Sequence, residues 1–307
     1  MNVTSRSEVA PARVLVTGHK GFTGRYVVDA LRAAGHEVLG LCESPSDLDS
    51  ASVDLLDREA VARSVSEGRP TAVIHLAAIA FVAHGDADEM YRTNVVGTRH
   101  LLEALAALPE IPRAVLLASS ANIYGNSDIE LLSESVTPSP ANDYAVSKLA
   151  MEYMAKLWAD RLPVILTRPF NYTGVGQAEN FLLPKIVSHF RRGERVIELG
   201  NIDVARDFQD VRFVADAYVR LLSAGGQGLA VNICSGTSVS LLEVIGMMQE
   251  IAGYNIDVRV NPAFVRGNEV ARLTGDNRRL RGLIGPLEII PLRTTLEWMY
   301  AQGAREP

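Results

Sequence analysis

Short β-branched runs alternate with segments of helical spacing through the first half of the chain. Val14-Leu15-Val16 ends in Thr17-Gly18, and Phe22 to Ala34 then carries apolar residues at helical intervals until Gly35 stops them. The same reading predicts strands over Glu37 to Leu41, Ala72 to Leu76, Ala114 to Ala118 and Val164 to Thr167, the last closed by Pro169. Helices are predicted over Asp57 to Ser66, over Ala87 to Leu108 as one long element, and over Tyr144 to Asp160. Strands alternating with helices at this spacing predict an α/β fold built on a doubly wound parallel sheet.

The rhythm loosens after Arg168. Phe181 to Arg192, Val211 to Ser223, Leu241 to Ile251 and Thr294 to Ala301 read as helices, and Val231 to Ile233 and Asp257 to Val260 as strands. Residues 13–170 are therefore expected to form a dinucleotide-type domain. Residues 171–307 would form mainly a smaller substrate-binding lobe, with some segments returning to the first domain. Residues 1–12 lack a basic start and an apolar stretch, which reads as a flexible tail and leaves the Asn2-Val3-Thr4 sequon without significance.

Composition narrows the function classes. The chain has 307 residues, 48% hydrophobic and 21% charged, room for one large domain or two joined ones at about 150 residues each. A net charge of −6 supplies no basic field for nucleic acid. The apolar run Ala72 to Ala83 is interrupted by His75 and falls short of the roughly 18 residues of a membrane span. Cys42 and Cys234 are too few for a disulfide scaffold or a zinc site, so no metal is expected and a reducing cytoplasm fits.

Thr17-Gly18-His19-Lys20-Gly21-Phe22-Thr23-Gly24 sets glycines three apart between a strand and a helix. Glycines allow a tight turn and close backbone approach, while a helix N-terminus offers N–H groups to a pyrophosphate. A purely structural joint would use the same residues. Glu43, 19 residues past Gly24, lies near the spacing at which a carboxylate meets an adenosine ribose, and Asp54-Leu55 would lie near the adenine. Cofactor preference between NAD and NADP stays open on these residues.

Tyr144 and Lys148 are four apart and share one helical face. An ammonium beside a phenol favours phenolate and would bring the Tyr144 pKa down from near 10 toward the range of a general acid or base. An ordinary amphipathic helix could also carry such a pair. Ser119-Ser120-Ala121-Asn122-Ile123-Tyr124-Gly125 follows a strand at the carboxyl edge of the sheet, where ligands bind and where a Ser120 hydroxyl could hold a carbonyl oxygen.

Together, the glycine loop, His75-Leu76-Ala77-Ala78, Ser120 and the Tyr144/Lys148 pair resemble the extended short-chain dehydrogenase/reductase family, whose nucleotide-binding half is a Rossmann fold. The resemblance spans nearly the whole chain. It implies bound NAD or NADP on Gly18, Lys20, Gly21, Phe22, Thr23, Gly24, Leu76, Ala77 and Ala78, with Tyr144 as acid/base. Lys148 would hold the nicotinamide ribose and lower the Tyr144 pKa, and Ser120 would orient the substrate oxygen. The stretches Arg168 to Gln177, Gly200 to Val211 and Asn232 to Gly236 resemble reductases of nucleotide-linked 4-keto-6-deoxyhexoses, such as those forming dTDP-6-deoxytalose or GDP-rhamnose. The form of the loop and of Asn180 to Phe190 leans toward the dTDP-linked group. On that resemblance Asn122, Asn171 and Asn180 would face the sugar and diphosphate, Arg206 and Arg266 would pair with the diphosphate, and Lys185 and Glu269 would be further contacts. Arg206 could equally bridge to Asp207 or Asp210.

A 4-ketoreductase needs a hydride donor, a proton donor and a hold on the keto oxygen, all of which this set supplies. A 4,6-dehydratase would carry an Asp-Glu pair where Ala121-Asn122 stand. A nucleotide-sugar 4-epimerase that keeps its NAD uses the same Ser, Tyr and Lys, and is the alternative. A dinucleotide sensor would have no use for the acid/base residue. The resemblance also implies a homodimer through the helices Ala87 to Leu108 and Tyr144 to Asp160, although internal packing would explain their apolar faces as well.

Overall fold

The computed structural model describes residues 11–42, 50–80, 86–265 and 270–302. Residues 1–10, with the sequon, and Glu43, Arg266 and Glu269 lie outside them. Of the expected tail, Ala12 is already buried, and its N–H donates to His36 Nδ1 at 3.1 Å.

Seven strands form the main sheet in the order β11-β6-β5-β4-β1-β2-β3: β1 (Arg13–Thr17), β2 (Glu37–Cys42), β3 (Ser50–Ser52), β4 (Ala72–His75), β5 (Val115–Ala118), β6 (Val164–Pro169) and β11 (Ala230–Ile233). Every pairing is parallel. A parallel sheet must be covered on both faces, and β1 shows how its residues serve both. Val14 and Val16 join a core with Val27 and Leu31 of α1 (Phe22–Ala33), Phe213 and Leu221 of α7 (Val211–Leu221) and Leu280 of α9 (Arg278–Ile284). Leu15 points the other way, into a core with Val61 of α2 (Arg58–Gly68), Leu101 and Leu105 of α4 (Thr98–Ala106) and Met151 of α5 (Asp143–Lys156). Each fully buried leucine there contributes on the order of 1.5–3 kcal/mol.

The second half supplies three small sheets: β7 (Asn171–Thr173) with β10 (Phe208–Asp210), β8 (Val196–Leu199) with β13 (Asp257–Val260), and β9 (Ala205–Arg206) between β12 (Val239–Ser240) and β14 (Arg272–Leu273). A separate apolar core joins Ile186 and Phe190 of α6 (Leu182–Arg191), Val244 and Met248 of α8 (Leu241–Ala252) and Leu296 of α10 (Leu292–Gln302). Strand β11 and helices α7 and α9 come from the second half of the chain but pack on the main sheet. Among the described residues no helix is long and apolar enough to cross a membrane.

Two elements depart from the periodicity. The expected long helix from Ala87 is α3 (Ala87–Tyr91), then a π-turn at Arg92–Gly97, then α4. The widened turn lets Asn94 leave the helix register and bond elsewhere, and such turns are frequent at functional sites. Strand β6 continues through Pro169, which pairs with Ile233. Strand β5 ends opposite Thr167, so the donor that proline lacks would meet no partner, while the next N–H, of Phe170, reaches the Ile233 carbonyl at 2.9 Å.

Candidate active site

Four neighbouring strands, β1, β4, β5 and β6, end on one side of the sheet, and the residues that follow them, Gly18, Leu76, Ser119 and Phe170, line a single cleft of about 440 Å³. This is where open α/β sheets bind ligands.

The glycine loop forms one wall. Gly18 has φ +67°, and a Cβ there would stand 2.9 Å from the Ala77 nitrogen; a Cβ on Gly24 would stand 2.1 Å from the Gly18 carbonyl oxygen. Only glycine admits this packing of loop on helix. Helix α1 begins at Gly21 without a side-chain cap and without an acid in its first turn, whereas Asp57, Asn142, Asp210 and Ser240 cap α2, α5, α7 and α8. A first turn of this kind fits an anionic pyrophosphate.

Beneath the loop a buried chain fixes its position. The Thr98 hydroxyl donates to the Asn94 carbonyl at 2.8 Å, so it must accept from His75 Nε2, also at 2.8 Å. His75 Nδ1 is then the acceptor for the Thr17 hydroxyl at 2.7 Å, whose oxygen receives the N–H groups of Leu76 and Ala77 at 3.2 and 3.1 Å. Burial, with help from the Lys148 charge, pushes the His75 pKa down to about 3 and keeps this ring neutral.

Ser120, Tyr144 and Lys148 all line the cleft. Asn142 starts α5 by accepting the Ala145 N–H at 2.9 Å, which sets Tyr144 and Lys148 one turn apart on the buried face. The Ser120 hydroxyl bonds the Tyr144 phenol, and Lys148 Nζ donates to the Ala118 carbonyl at 2.8 Å. Burial lowers the Lys148 pKa to about 8 against the opposing pull of Glu152, so the ammonium persists at neutral pH. Tyr144 differs from expectation: its pKa is raised, because burial of the phenol outweighs the Ser120 hydrogen bond. The resting side chain is a neutral phenol, a proton donor in waiting.

Of the residues expected to hold cofactor or substrate, Phe22, Thr23, Ala78, Asn122 and Asn171 also line the cleft. Ala77 and Lys20 flank the lining residues. Leu55 is instead buried in the core beneath α4, and Asp54 closes its own turn by accepting the Leu56 N–H at 2.8 Å. Asn180 is exposed, and Lys185 donates to the Glu198 carbonyl at 2.8 Å. Arg206 donates to the carbonyls of Ala205 and Ala271 at 3.0 Å, on a strand whose register partner, Leu273, lines the cleft. Asp207 accepts from Ser235 and Gly236, and Asp210 pairs with Arg212 at 2.7 Å. Neither cysteine lines the cleft, and among the described residues neither does any carboxylate or imidazole.

Two residues at the site carry no role in the sequence reading. Asn94 donates to the Ile79 carbonyl at 3.1 Å and to the Ser147 hydroxyl at 3.0 Å, joining the π-turn to α5. Tyr172 lines the cleft and hydrogen-bonds Thr23 across 2.8 Å. A polar residue inside a helical run gives no warning of a π-turn, and nothing in the local sequence sets Tyr172 apart from its neighbours.

The model of the NAD dependent epimerase/dehydratase family matches residues 14–234. The chain is 34% identical, over 94% of its length and 97% of the relative's, to a GDP-6-deoxy-D-talose 4-dehydrogenase of Aggregatibacter actinomycetemcomitans. A solved structure of a putative epimerase from Burkholderia cenocepacia J2315 is 52% identical with a TM-score of 0.89, covering 94% of this chain and 97% of that one. MoeE5 in complex with UDP-glucuronic acid and NAD is 30% identical with a TM-score of 0.87, covering 95% and 99%. Across such chains the bound cofactor is NAD or NADPH.

Proposed function

Since the chain belongs to the NAD dependent epimerase/dehydratase family, we propose that it is an NAD(P)-dependent enzyme acting at C4 of a nucleotide-diphosphate-linked hexose, in the manner of a 4-epimerase. The observation that carries this reading is the cleft itself: a phenol, a hydroxyl and an ammonium converge there, with no carboxylate or imidazole lining it among the described residues. Loss of water across C5 and C6 would call for an added acid and base, and Ala121 and Asn122 offer none. When bound, the nicotinamide exchanges a hydride with C4. Tyr144 moves the proton at O4, Ser120 holds that oxygen and the phenol together, and Lys148 keeps a positive charge beside the reacting atoms. First-turn N–H groups of α1 would receive the cofactor pyrophosphate.

The epimerase takes precedence over the simple reductase expected from the motifs because the 52%-identical structure bears that name and MoeE5 holds NAD with a UDP-sugar. A GDP- or UDP-linked substrate is favoured over the dTDP-linked one for the same kind of reason. Reduction of a 4-keto-6-deoxyhexose is the second reading. It is favoured by the 34%-identical dehydrogenase and by the neutral state of Tyr144, which suits donation to a keto oxygen.

Purified protein tests the two. An epimerase should release NAD on denaturation and interconvert C4 epimers of UDP- or GDP-hexoses, followed by NMR, with no cofactor added. Absence of bound NAD, with stoichiometric loss of 340 nm absorbance on mixing NADPH and a GDP-linked 4-keto-6-deoxyhexose, would replace this reading by the reductase.

Arg206 is proposed to meet the substrate diphosphate. Its guanidinium is already oriented by two carbonyls, and charge-assisted hydrogen bonds to phosphate are worth about 1.5–3 kcal/mol. Arg206→Ala should therefore raise the substrate KM by about tenfold or more with kcat largely kept. An unchanged KM removes Arg206 from the site.

A further inference from the structure

Tyr172, Gly176 and Gln177 line the cleft, and the segment that carries them, residues 172–177, is fastened to α1 by side chains. The Tyr172 hydroxyl hydrogen-bonds Thr23 Oγ1 at 2.8 Å, and its ring stacks on Phe22 with centroids 6.1 Å apart and planes 12° from parallel. One turn further along, the Tyr26 hydroxyl donates to the Val175 carbonyl at 2.7 Å, and Arg25 donates to the Gly176 carbonyl at 3.1 Å. These contacts join positions 149 to 151 apart in sequence, so they bind two separate parts of the molecule.

The fit is close. Gly176 has φ +82°, and a Cβ on it would lie 2.6 Å from Arg25 Nη2; a Cβ on Gly174 would lie 2.6 Å from Val211 Cγ1. Within the segment, the Thr173 hydroxyl donates to Gln177 Oε1 at 2.7 Å, and Gln177 Nε2 donates to the Tyr172 carbonyl at 3.3 Å. Its links to α1 are nevertheless all made by side chains. The regular pairing of this stretch is with β10 alone, over Asn171 to Thr173. Tyr172 is itself held in β7 by β10, and Thr173 is buried against Met299, so the ties to α1 can be lost while the segment keeps its place on β10.

Phe22, Thr23, Tyr172 and Gly176 face the same cleft, so a group seated on the glycine loop is enclosed between loop and segment. We infer that residues 172–177 act as a clasp that retains the dinucleotide, and that Tyr172 is its latch. The inference rests on the cofactor seat of the proposed function. It adds a device that sets how long the cofactor stays, the property by which an epimerase that recycles its NAD differs from a reductase that must exchange it. Tyr172 is a positioning residue in this account, since it acts through Thr23 and Phe22.

The test is the rate at which NADH leaves the protein, followed by fluorescence when excess NAD displaces it. Tyr172→Phe keeps the ring stack and removes the hydroxyl, and Arg25→Ala removes a tie from a residue that does not line the cleft. Loss of one such hydrogen bond should speed release by a few-fold to about tenfold in each variant, and more in the double variant. Both hydrogen bonds are present without cofactor, so a small fall in the thermal midpoint is expected from each variant; a merely structural role would lower the midpoint and leave the NADH release rate unmoved. Release within twofold of the parent in both variants overturns the clasp while leaving the proposed function standing. A parent that binds neither NAD nor NADP overturns both.

Discussion

Tyr144→Phe is expected to lower turnover by about 10²–10⁴-fold, the usual worth of a positioned general acid or base, while NADH binding stays within a few-fold of the parent. The substitution deletes one oxygen and leaves a ring that is only 8% exposed, so the wall of the cleft keeps its shape. What disappears is the proton carrier together with the acceptor of the Ser120 hydrogen bond. The loss should fall on kcat with little change in the substrate KM, because in the proposed function the phenol acts on the reacting oxygen while Arg206 meets the diphosphate. Steady-state kinetics with a fluorescence titration of NADH separates the two quantities. Turnover within tenfold of the parent would show that another group moves the proton.

The second large effect is on stability. Glu152→Ala should reduce the free energy of unfolding by about 3–5 kcal/mol, the cost of breaking a buried ion pair from one side, read from urea denaturation. Glu152 lies one turn beyond Lys148 on α5 and is 1% exposed. It accepts two hydrogen bonds from Arg168 on β6, at 2.9 and 2.7 Å. The same guanidinium donates to the Tyr124 hydroxyl at 3.0 Å and the Glu134 carbonyl at 3.2 Å, and Tyr124 donates onward to Asn232 of β11 at 2.7 Å. Removing Glu152 leaves this buried cation without its counter-charge. A second change, Arg168→Met, should return part of the loss, since the stranded charge goes with it. A loss under about 1 kcal/mol, or no recovery in the double variant, would mean that water reaches the pair.

Much of this architecture follows from the sequence by simple rules. The runs that become β1, β4, β5 and β6 are short, centred on consecutive apolar residues and followed by turn residues, the signature of strands buried on both faces. Tyr144 and Lys148 share a face because helical spacing leaves them no other choice. What stayed hidden depends on partners distant in the chain. The three residues of β3 are Ser, Ala and Ser, with no apolar pattern, and they form a strand because β2 offers an open edge. Helix α9 begins with Arg278 and Arg279 and shows mainly Leu280 to the core, too little for a periodic signal. The protonation state of Tyr144 is hidden from the sequence for a related reason. Spacing brings an ammonium near the phenol, but only the folded chain shows how completely both are withdrawn from water, and that withdrawal dominates.

The sheet order also has a consequence in time. Six of the seven strands leave the ribosome before β11, which covers the open side of β6. Every residue of β6 is buried in the finished protein, and its pairing with β11 needs residues 230–233. Translation at about 5–20 residues per second takes several seconds to add the roughly 60 residues between them. For that interval the nascent chain carries an unpaired, apolar strand edge, the kind of surface that templates aggregation, so the completion of β11 closes a period in which the growing chain is open to such pairing.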